Sequence, residues 1–216
     1  MFDAPLRRAT RPLVEGAGRR LHDAGIRPEW VTATGWVVGV GACVAAGWGR
    51  WPVALVLWLA NRSLDGIDGA VARAGTPTER GGFLDIVADF SVYGGFLLGV
   101  AIAMPSARLA CVALMLTYYT SGAAFLALSA LLERRHHDGG DERSLRFVGG
   151  LAEGAETIAV YVLVCLLPAH AAVIAWAFAA AVAITAGQRV WIGAHALGAG
   201  VPGPVAPSNL ARVDEG

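Results

Sequence analysis

Four aspartates carry the strongest chemical signal in this 216-residue chain. Asp65 and Asp68 stand three residues apart, and Asp85 and Asp89 stand four apart, at the edges of apolar stretches. Residues three or four apart stack on one face of a helix, so each pair shares a face. The short segment between the pairs makes the two helices antiparallel neighbours, and all four carboxylates then converge. An ionisable group inside a membrane segment costs about 2.5–3.5 kcal/mol and marks function by default. Four crowded anions in low dielectric do not stay ionised without compensating positive charge. Arg62, Arg73 and Arg80 supply part of that charge, and hard divalent cations fit better still. An all-oxygen ligand set selects Mg²⁺, Mn²⁺ or Ca²⁺, whereas zinc takes His or Cys. Carboxylates on facing helices suit a two-metal clamp on a transferring phosphoryl group. Gly66, Gly69 and Ala72 stand beside the acids without bulk, which lets a flat or charged ligand approach the backbone. A mere salt-bridged seam between two helices would need neither four acids nor the interleaved glycines.

The elements that position these acids belong to a membrane protein. The chain is 56% hydrophobic and 16% charged, with a mean hydropathy of +0.54. Soluble domains hold about 45–50% apolar and about 25% charged residues. One soluble core of this length could not hide so much apolar surface. A formal net charge of zero without any basic block excludes nucleic acid as a partner. Cys43, Cys111 and Cys165 are scattered through apolar runs, which excludes a disulfide framework and a thiolate zinc site.

A spanning helix takes about 20 apolar residues. Such runs fall at 30–49, 51–72, 82–104, 107–132, 148–168 and 170–194, which predicts an all-α, polytopic fold of six transmembrane helices. Arg7, Arg8, Arg11, Arg19, Arg20 and Arg27 precede the first run. Arg73 and Arg80 follow the second, and Arg134, Arg135, Arg143 and Arg146 follow the fourth, while the opposite side carries only Arg50 and Arg108. The positive-inside rule therefore places both termini in the cytoplasm, with the chain in the cell (inner) membrane. Segment 1–27 has no central apolar run of a signal peptide. Its Leu6, Thr10, Leu13, Ala17 and Leu21 recur at helical steps opposite Arg8, Arg11, Glu15, Arg19 and His22. That pattern predicts an amphipathic interfacial helix on the inner leaflet. Residues 1–198 then form one transmembrane domain, and 199–216, rich in Gly and Pro, a flexible tail. The pairs Gly35/Gly39 and Gly95/Gly99 are small-xxx-small steps for close helix packing, within the chain or in a homodimer.

The run Asp65-x2-Asp68-Gly69-x2-Ala72-Arg73, followed by Gly81-x3-Asp85-x3-Asp89, resembles the signature of the CDP-alcohol phosphotransferases (CDP-alcohol phosphatidyltransferases), D-x2-D-G-x2-A-R-x8-G-x3-D-x3-D. Every specified residue type is present. Seven residues, Ala74 to Arg80, separate Arg73 from Gly81 where the pattern has eight. The stretch Gly25-Ile26-Arg27-Pro28-x3-Thr32 leading into the first span, the six-span layout and the N-terminal helix also resemble this family. The resemblance implies a membrane enzyme of phospholipid synthesis. It would transfer a phosphatidyl or other substituted phosphoryl group from a CDP-linked alcohol, foremost CDP-diacylglycerol, to an acceptor hydroxyl, releasing CMP. It further implies two Mg²⁺ or Mn²⁺ ions on Asp65, Asp68 and Asp85, with Asp89 as both ligand and catalytic base. Gly66, Gly69, Ala72 and Arg73 would line the cytidine diphosphate. Glycerol phosphate, serine, inositol phosphate, phosphatidylglycerol and diacylglycerol are all acceptors compatible with the signature.

Glu153 and Glu156, three apart among glycines, suit a wall for the acceptor or a hydrogen bond between helices. Arg134, Arg135 and Arg146 suit lipid headgroups or a phosphorylated acceptor, and Arg189 could serve the same end or snorkel. Two competing readings use the same acids. Asn61-Arg62-x2-Asp65 and Asp85-x3-Asp89 imitate intramembrane prenyltransferases, but the next acid, Asp68, follows at three residues rather than four, and about nine spans would be needed. A non-catalytic membrane protein or divalent-ion carrier would be expected to show repeated halves, and the sequence has none.

Overall fold

A computed structural model describes residues 3–137 and 154–198, with side chains from 11–134 and 154–198. The described residues are helical throughout, joined by turns. In chain order the helices are α1 (Asp3–Asp23), α2 (Pro28–Gly47), α3 (Trp51–Ala74), α4 (Glu79–Ala103), α5 (Arg108–His137), α6 (Gly154–Leu166) and α7 (Ala171–Gly198). Helices α2 to α7 correspond to the six apolar runs. Four of them, α2, α4, α5 and α7, are long and apolar enough to cross a membrane. The charged signature dilutes the second half of α3, and the described part of α6 is a short apolar helix.

Two glycines set the geometry of the first three helices. Gly25 (φ 76°) and Gly49 (φ 67°) occupy the left-handed region that L side chains rarely adopt. After Gly25, the Ile26 amide donates to the Leu21 carbonyl at 3.0 Å; after Gly49, the Arg50 amide donates to the Ala45 carbonyl at 2.9 Å. Both are Schellman ends, which close a helix and turn the chain sharply. Pro28 and Pro52 then start the next helices where a missing N–H costs nothing. Between α3 and α4 the link is short, and Thr78 caps α4 by accepting from the Gly81 amide at 3.0 Å. The fifth helix corrects the expectation of a loop after residue 132: α5 continues to His137. Leu131, Leu132, Glu133 and Arg134 are good helix formers, and no Gly or Pro interrupts before Gly139.

The two glycine pairs are spent on packing inside the chain. A Cβ at Gly99 would collide with the Cys43 carbonyl oxygen, and one at Gly39 would stand 2.6 Å from Val92. So α2 and α4 approach backbone to backbone. A continuous core runs on from this seam through Trp58, Phe96, Tyr161 and Phe178. Phe96 stacks on Tyr161 at 4.7 Å, and Trp58 lies 4.8 Å from Tyr161. Outside, Val37, Ile102, Leu109, Leu116 and Val173 are exposed, while Asn61, Asp68, Ser121, Thr157 and Thr185 are buried. Apolar outside and polar inside is the arrangement expected when lipid is the solvent.

Candidate active site

The two aspartate pairs meet between α3 and α4, one helical turn beyond the aromatic core. Carboxylate oxygens of Asp65, Asp68 and Asp85 all lie within 4.8 Å of one another. The one-residue-shorter turn between Arg73 and Gly81 has therefore not parted the pairs. Asp68 is buried, and the Thr32 hydroxyl of α2 donates to its Oδ2 at 2.7 Å. A pocket opens over the acids, walled by Thr32, Gly35 and Trp36 of α2, by Asn61, Asp65 and Asp68 of α3, and by Asp85, Ala88, Asp89 and Val92 of α4. The Trp36 indole N–H donates to Ser91 Oγ at 2.9 Å and fixes one wall. Three carboxylates this close, all with hard oxygen donors, form a set that could hold a divalent cation.

Asp89 lines the same pocket but is held differently. Arg62 Nη2 donates to Asp89 Oδ1 at 2.9 Å, whereas the nearest approach of Arg62 to Asp65 is 3.8 Å. The guanidinium packs against both Trp58 and Tyr93, 4.9 and 4.8 Å from their ring centroids, where the two rings meet edge to face at 5.5 Å. All four acids thus line one pocket, and Asp89 is the one that Arg62 holds by a hydrogen bond.

Gly66, Gly69, Ala72 and Arg73 do not wall this pocket. Gly69 and Ala72 lie one turn beyond Asp65 and Asp68, extending the same strip of α3. A Cβ at Gly69 would stand 3.1 Å from Arg73 Nη1, so the glycine leaves room for that guanidinium. Gly66 faces α1 instead, where an added Cβ would lie 3.8 Å from Val14. Helix α1 rests along this part of α3, with Gly18 against Ala70 and the His22 ring over Gly75. In α1, Arg11 Nε donates to Glu15 Oε1 at 2.7 Å. That bond lowers the Glu15 carboxyl below its usual range, and the fields of Arg11, Arg19 and Arg73 act in the same direction against a smaller effect of burial. Arg134 ends exposed near the end of α5, and Glu156 stands in the first turn of α6. Arg146 and Glu153, with the side chain of Arg135, lie outside the described residues.

The sequence reading names Thr32, Asn61 and Arg62 only within motifs, with Arg62 also as a source of charge, and it does not point to Trp58 or Tyr93. Their partners lie far away along the chain: Thr32 meets Asp68, and Arg62 meets Asp89 and Tyr93. One signal was available, since Arg62 lies three residues before Asp65 on the same helix face.

Fold and site together define a helical membrane protein with a half-buried acidic centre suited to a metal. A family model described as CDP-alcohol phosphatidyltransferase matches residues 26–190. The chain belongs to that family and is a membrane transferase of phospholipid biosynthesis. It is 40% identical over 196 residues to the inner membrane protein YnjF of Escherichia coli (strain K12), covering 89% of this chain and 95% of that protein. The fold is similar to crystal structures of the Mycobacterium tuberculosis phosphatidylinositol phosphate synthase PgsA1. The form with CDP-DAG bound aligns with a TM-score of 0.71 at 20% identity, covering 94% of this chain and 100% of that one. The form in complex with manganese and citrate gives 0.70 at 22% identity, covering 93% of each.

Proposed function

We propose that this chain transfers a phosphatidyl group from CDP-diacylglycerol to an acceptor hydroxyl and releases CMP. The observation that carries this reading is the convergence of Asp65, Asp68 and Asp85 within 4.8 Å beside an arginine-bound Asp89. In the family signature these positions are three metal ligands and a fourth aspartate that is both ligand and base. The PgsA1 structures, one with CDP-DAG and one with manganese, support the donor class and the use of a metal.

Asp65, Asp68 and Asp85 would hold two Mg²⁺ or Mn²⁺ ions, with Asp89 able to reach them. When bound, such ions neutralise the diphosphate and stabilise the departing CMP. The chain's own residues do the rest. Gly69 and Ala72 leave a bare strip for the cytidine diphosphate beyond the acids, and Arg73 offers a guanidinium to its phosphates. The acceptor oxygen attacks the phosphorus that bears the diacylglycerol. The bond from that phosphorus to the bridging oxygen breaks, CMP leaves with the electron pair, and Asp89 takes the hydroxyl proton. Arg134, Arg135, Arg146, Glu153 and Glu156 are the candidates for meeting the acceptor.

In this reading α2 to α7 cross the inner membrane, α1 lies on the cytoplasmic leaflet, and both termini are cytoplasmic. Arginine asymmetry and the apolar exterior support it. The test is to incubate the purified protein with labelled CDP-diacylglycerol and a panel of hydroxyl acceptors, following CMP and the lipid product. CMP release that stops with EDTA and returns with Mg²⁺ or Mn²⁺ is expected. Full activity in the chelator, or no CMP with any acceptor, overturns the reading. Cysteine-accessibility labelling that places residues 133–146 outside the cell overturns the topology.

A further inference from the structure

We propose that Thr32 is a positioning residue of the metal site. It holds one oxygen of the Asp68 carboxylate and leaves Asp68 a single oxygen to offer a cation. The site thereby favours a small octahedral ion, Mg²⁺ or Mn²⁺, over Ca²⁺. This inference rests on the reading of Asp65, Asp68 and Asp85 as metal ligands.

Thr32 ends the stretch Gly25-Ile26-Arg27-Pro28-x3-Thr32, which the acids alone leave without a task. Gly25 turns the chain after α1 and Pro28 opens α2, so Thr32 stands one turn into α2. A threonine hydroxyl carries one proton, and on a helix a common acceptor for it is the carbonyl four residues back. Thr34, Ser63, Thr120 and Thr185 take that partner at 2.8, 2.8, 3.0 and 3.0 Å. Thr32 is 3.2 Å from the Pro28 carbonyl but 2.7 Å from Asp68 Oδ2. Its proton is drawn off its own helix to a carboxylate, in a short, charge-assisted bond.

That bond is not needed to fasten the two helices. They are already joined one turn further in, where Asn61 Nδ2 donates to the Gly35 carbonyl at 2.8 Å. A Cβ at Gly35 would stand 3.4 Å from the Leu64 Cβ, so the helices are close there. Asp68 is also the buried member of the cluster, whereas Asp65 and Asp85 are half-buried. Its orientation is therefore set by protein partners rather than by water. With Oδ2 held by Thr32, Asp68 meets a cation through Oδ1. Mg²⁺ demands a near-ideal octahedron of oxygens, and Mn²⁺ takes the same kind of site. Ca²⁺ accepts more ligands in looser geometry, often with both oxygens of a carboxylate. A carboxylate restricted to one oxygen suits the first two ions better than the third.

The experiment uses the full chain purified in detergent, as wild type and with Thr32→Val, Thr32→Ser and Thr34→Val. Mn²⁺ and Ca²⁺ affinities are measured without substrate, beside the Mn²⁺ needed for half-maximal CMP release. A partner that orients a metal ligand is worth about 10–100-fold in affinity. Thr32→Val should therefore weaken Mn²⁺ binding by about tenfold or more. Ca²⁺ binding should weaken by no more than about threefold, because the released Asp68 can offer both oxygens. The fall in the Mn²⁺-to-Ca²⁺ affinity ratio is the decisive readout, since a loosened fold weakens both ions alike. The Mn²⁺ needed for CMP release should rise in step. Thr32→Ser keeps the hydroxyl and should hold the ratio within about twofold of wild type. Thr34→Val, which removes a hydroxyl bonded only within α2, should leave the ratio unmoved. An unchanged ratio in Thr32→Val, or an equal fall in Thr32→Ser or Thr34→Val, overturns the inference. If Thr32→Val does not fold, Thr32→Ala carries the same comparison. The two readings fail separately. Wild-type protein that binds neither ion removes the metal site itself, whereas tight Mn²⁺ binding with an unchanged ratio in Thr32→Val removes only the role of Thr32.

Discussion

The helices α1–α4 and the pair α5–α7 differ in how closely glycines let their backbones meet. In the first group backbones touch. Gly99 of α4 has no room for a Cβ against the Cys43 carbonyl, and Gly18 of α1 has none against Ala70. In the second, Gly193 of α7 would place an added Cβ 3.6 Å from Leu128, an ordinary contact. The arginines differ in the same way. Arg62 is hydrogen-bonded to a carboxylate and packs against two rings. Arg189 of α7 donates to Ser121 Oγ of α5 at 2.9 Å, with Phe125 5.2 Å away. Close backbone approach is what lets α2, α3 and α4 bring charges from α3 and α4 and a hydroxyl from α2 into one pocket. The α5–α7 pair carries no member of the acid cluster.

The comparison breaks most visibly at the acids. Asp89→Asn keeps the shape of the side chain and loses the proton acceptor, so turnover should fall by about 10²–10⁴-fold with donor affinity less affected. Asp65→Asn should instead lower both turnover and donor binding, and excess Mn²⁺ should restore part of each. Neither change should unfold the protein, since removing one of several crowded negative charges relieves repulsion. Steady-state kinetics over a metal series, with size-exclusion profiles in detergent, separates the two phenotypes. Identical phenotypes would mean that Asp89 acts chiefly as a ligand.

Added volume sharpens the packing contrast. Gly99→Val forces β-branched bulk onto the backbone of α2, and overpacking of this kind costs about 1–3 kcal/mol or more. Gly193→Ala meets only Leu128 at contact distance and should gain about 0.5–1 kcal/mol from the lower backbone entropy of the unfolded chain. Thermal unfolding in detergent should show shifts of opposite sign. Two shifts of one sign would mean that both seams are equally tight.

Much of the site was legible because its information is local. The i,i+3 and i,i+4 spacings of the aspartates, the short link between their helices and the interleaved glycines state the chemistry within 25 consecutive residues, 65–89. The helices themselves were legible from apolar runs, with the end of α5 misjudged because charge at residues 133–137 was taken to mean a loop. A charged residue with good helix propensity extends a helix past the apolar stretch. The anchoring of Asp89 was not legible. It depends on Arg62 meeting Asp89, 27 residues away, and on Asn61 reaching Gly35, 26 residues away. Only the crossing of three helices sets those contacts, and no spacing rule records it. The place of Gly66 was hidden for the same reason: a bare glycine beside an acid reads as a ligand surface, yet the structure sets Val14 of α1 against it.

The smallest expected effect tests whether the two groups are functionally separate. Ser121 is buried, and its hydroxyl accepts from Arg189 Nη1 at 2.9 Å. Ser121→Ala removes that acceptor but keeps the Ser121 carbonyl, 3.4 Å from the same nitrogen. The loss of one such bond, with a substitute acceptor at hand, should cost about 0.5–1.5 kcal/mol. If α7 is bound to α5 only to support the bundle, the melting temperature drops slightly and kcat and KM do not move. A fall in acceptor affinity with unchanged donor affinity would carry a different message. It would mean that Arg189 is oriented by Ser121 toward the acceptor, and that the α5–α7 pair is a wall of the reaction rather than its scaffold. Measuring KM for donor and acceptor separately in Ser121→Ala distinguishes these outcomes, because a scaffold defect acts on both substrates or on neither.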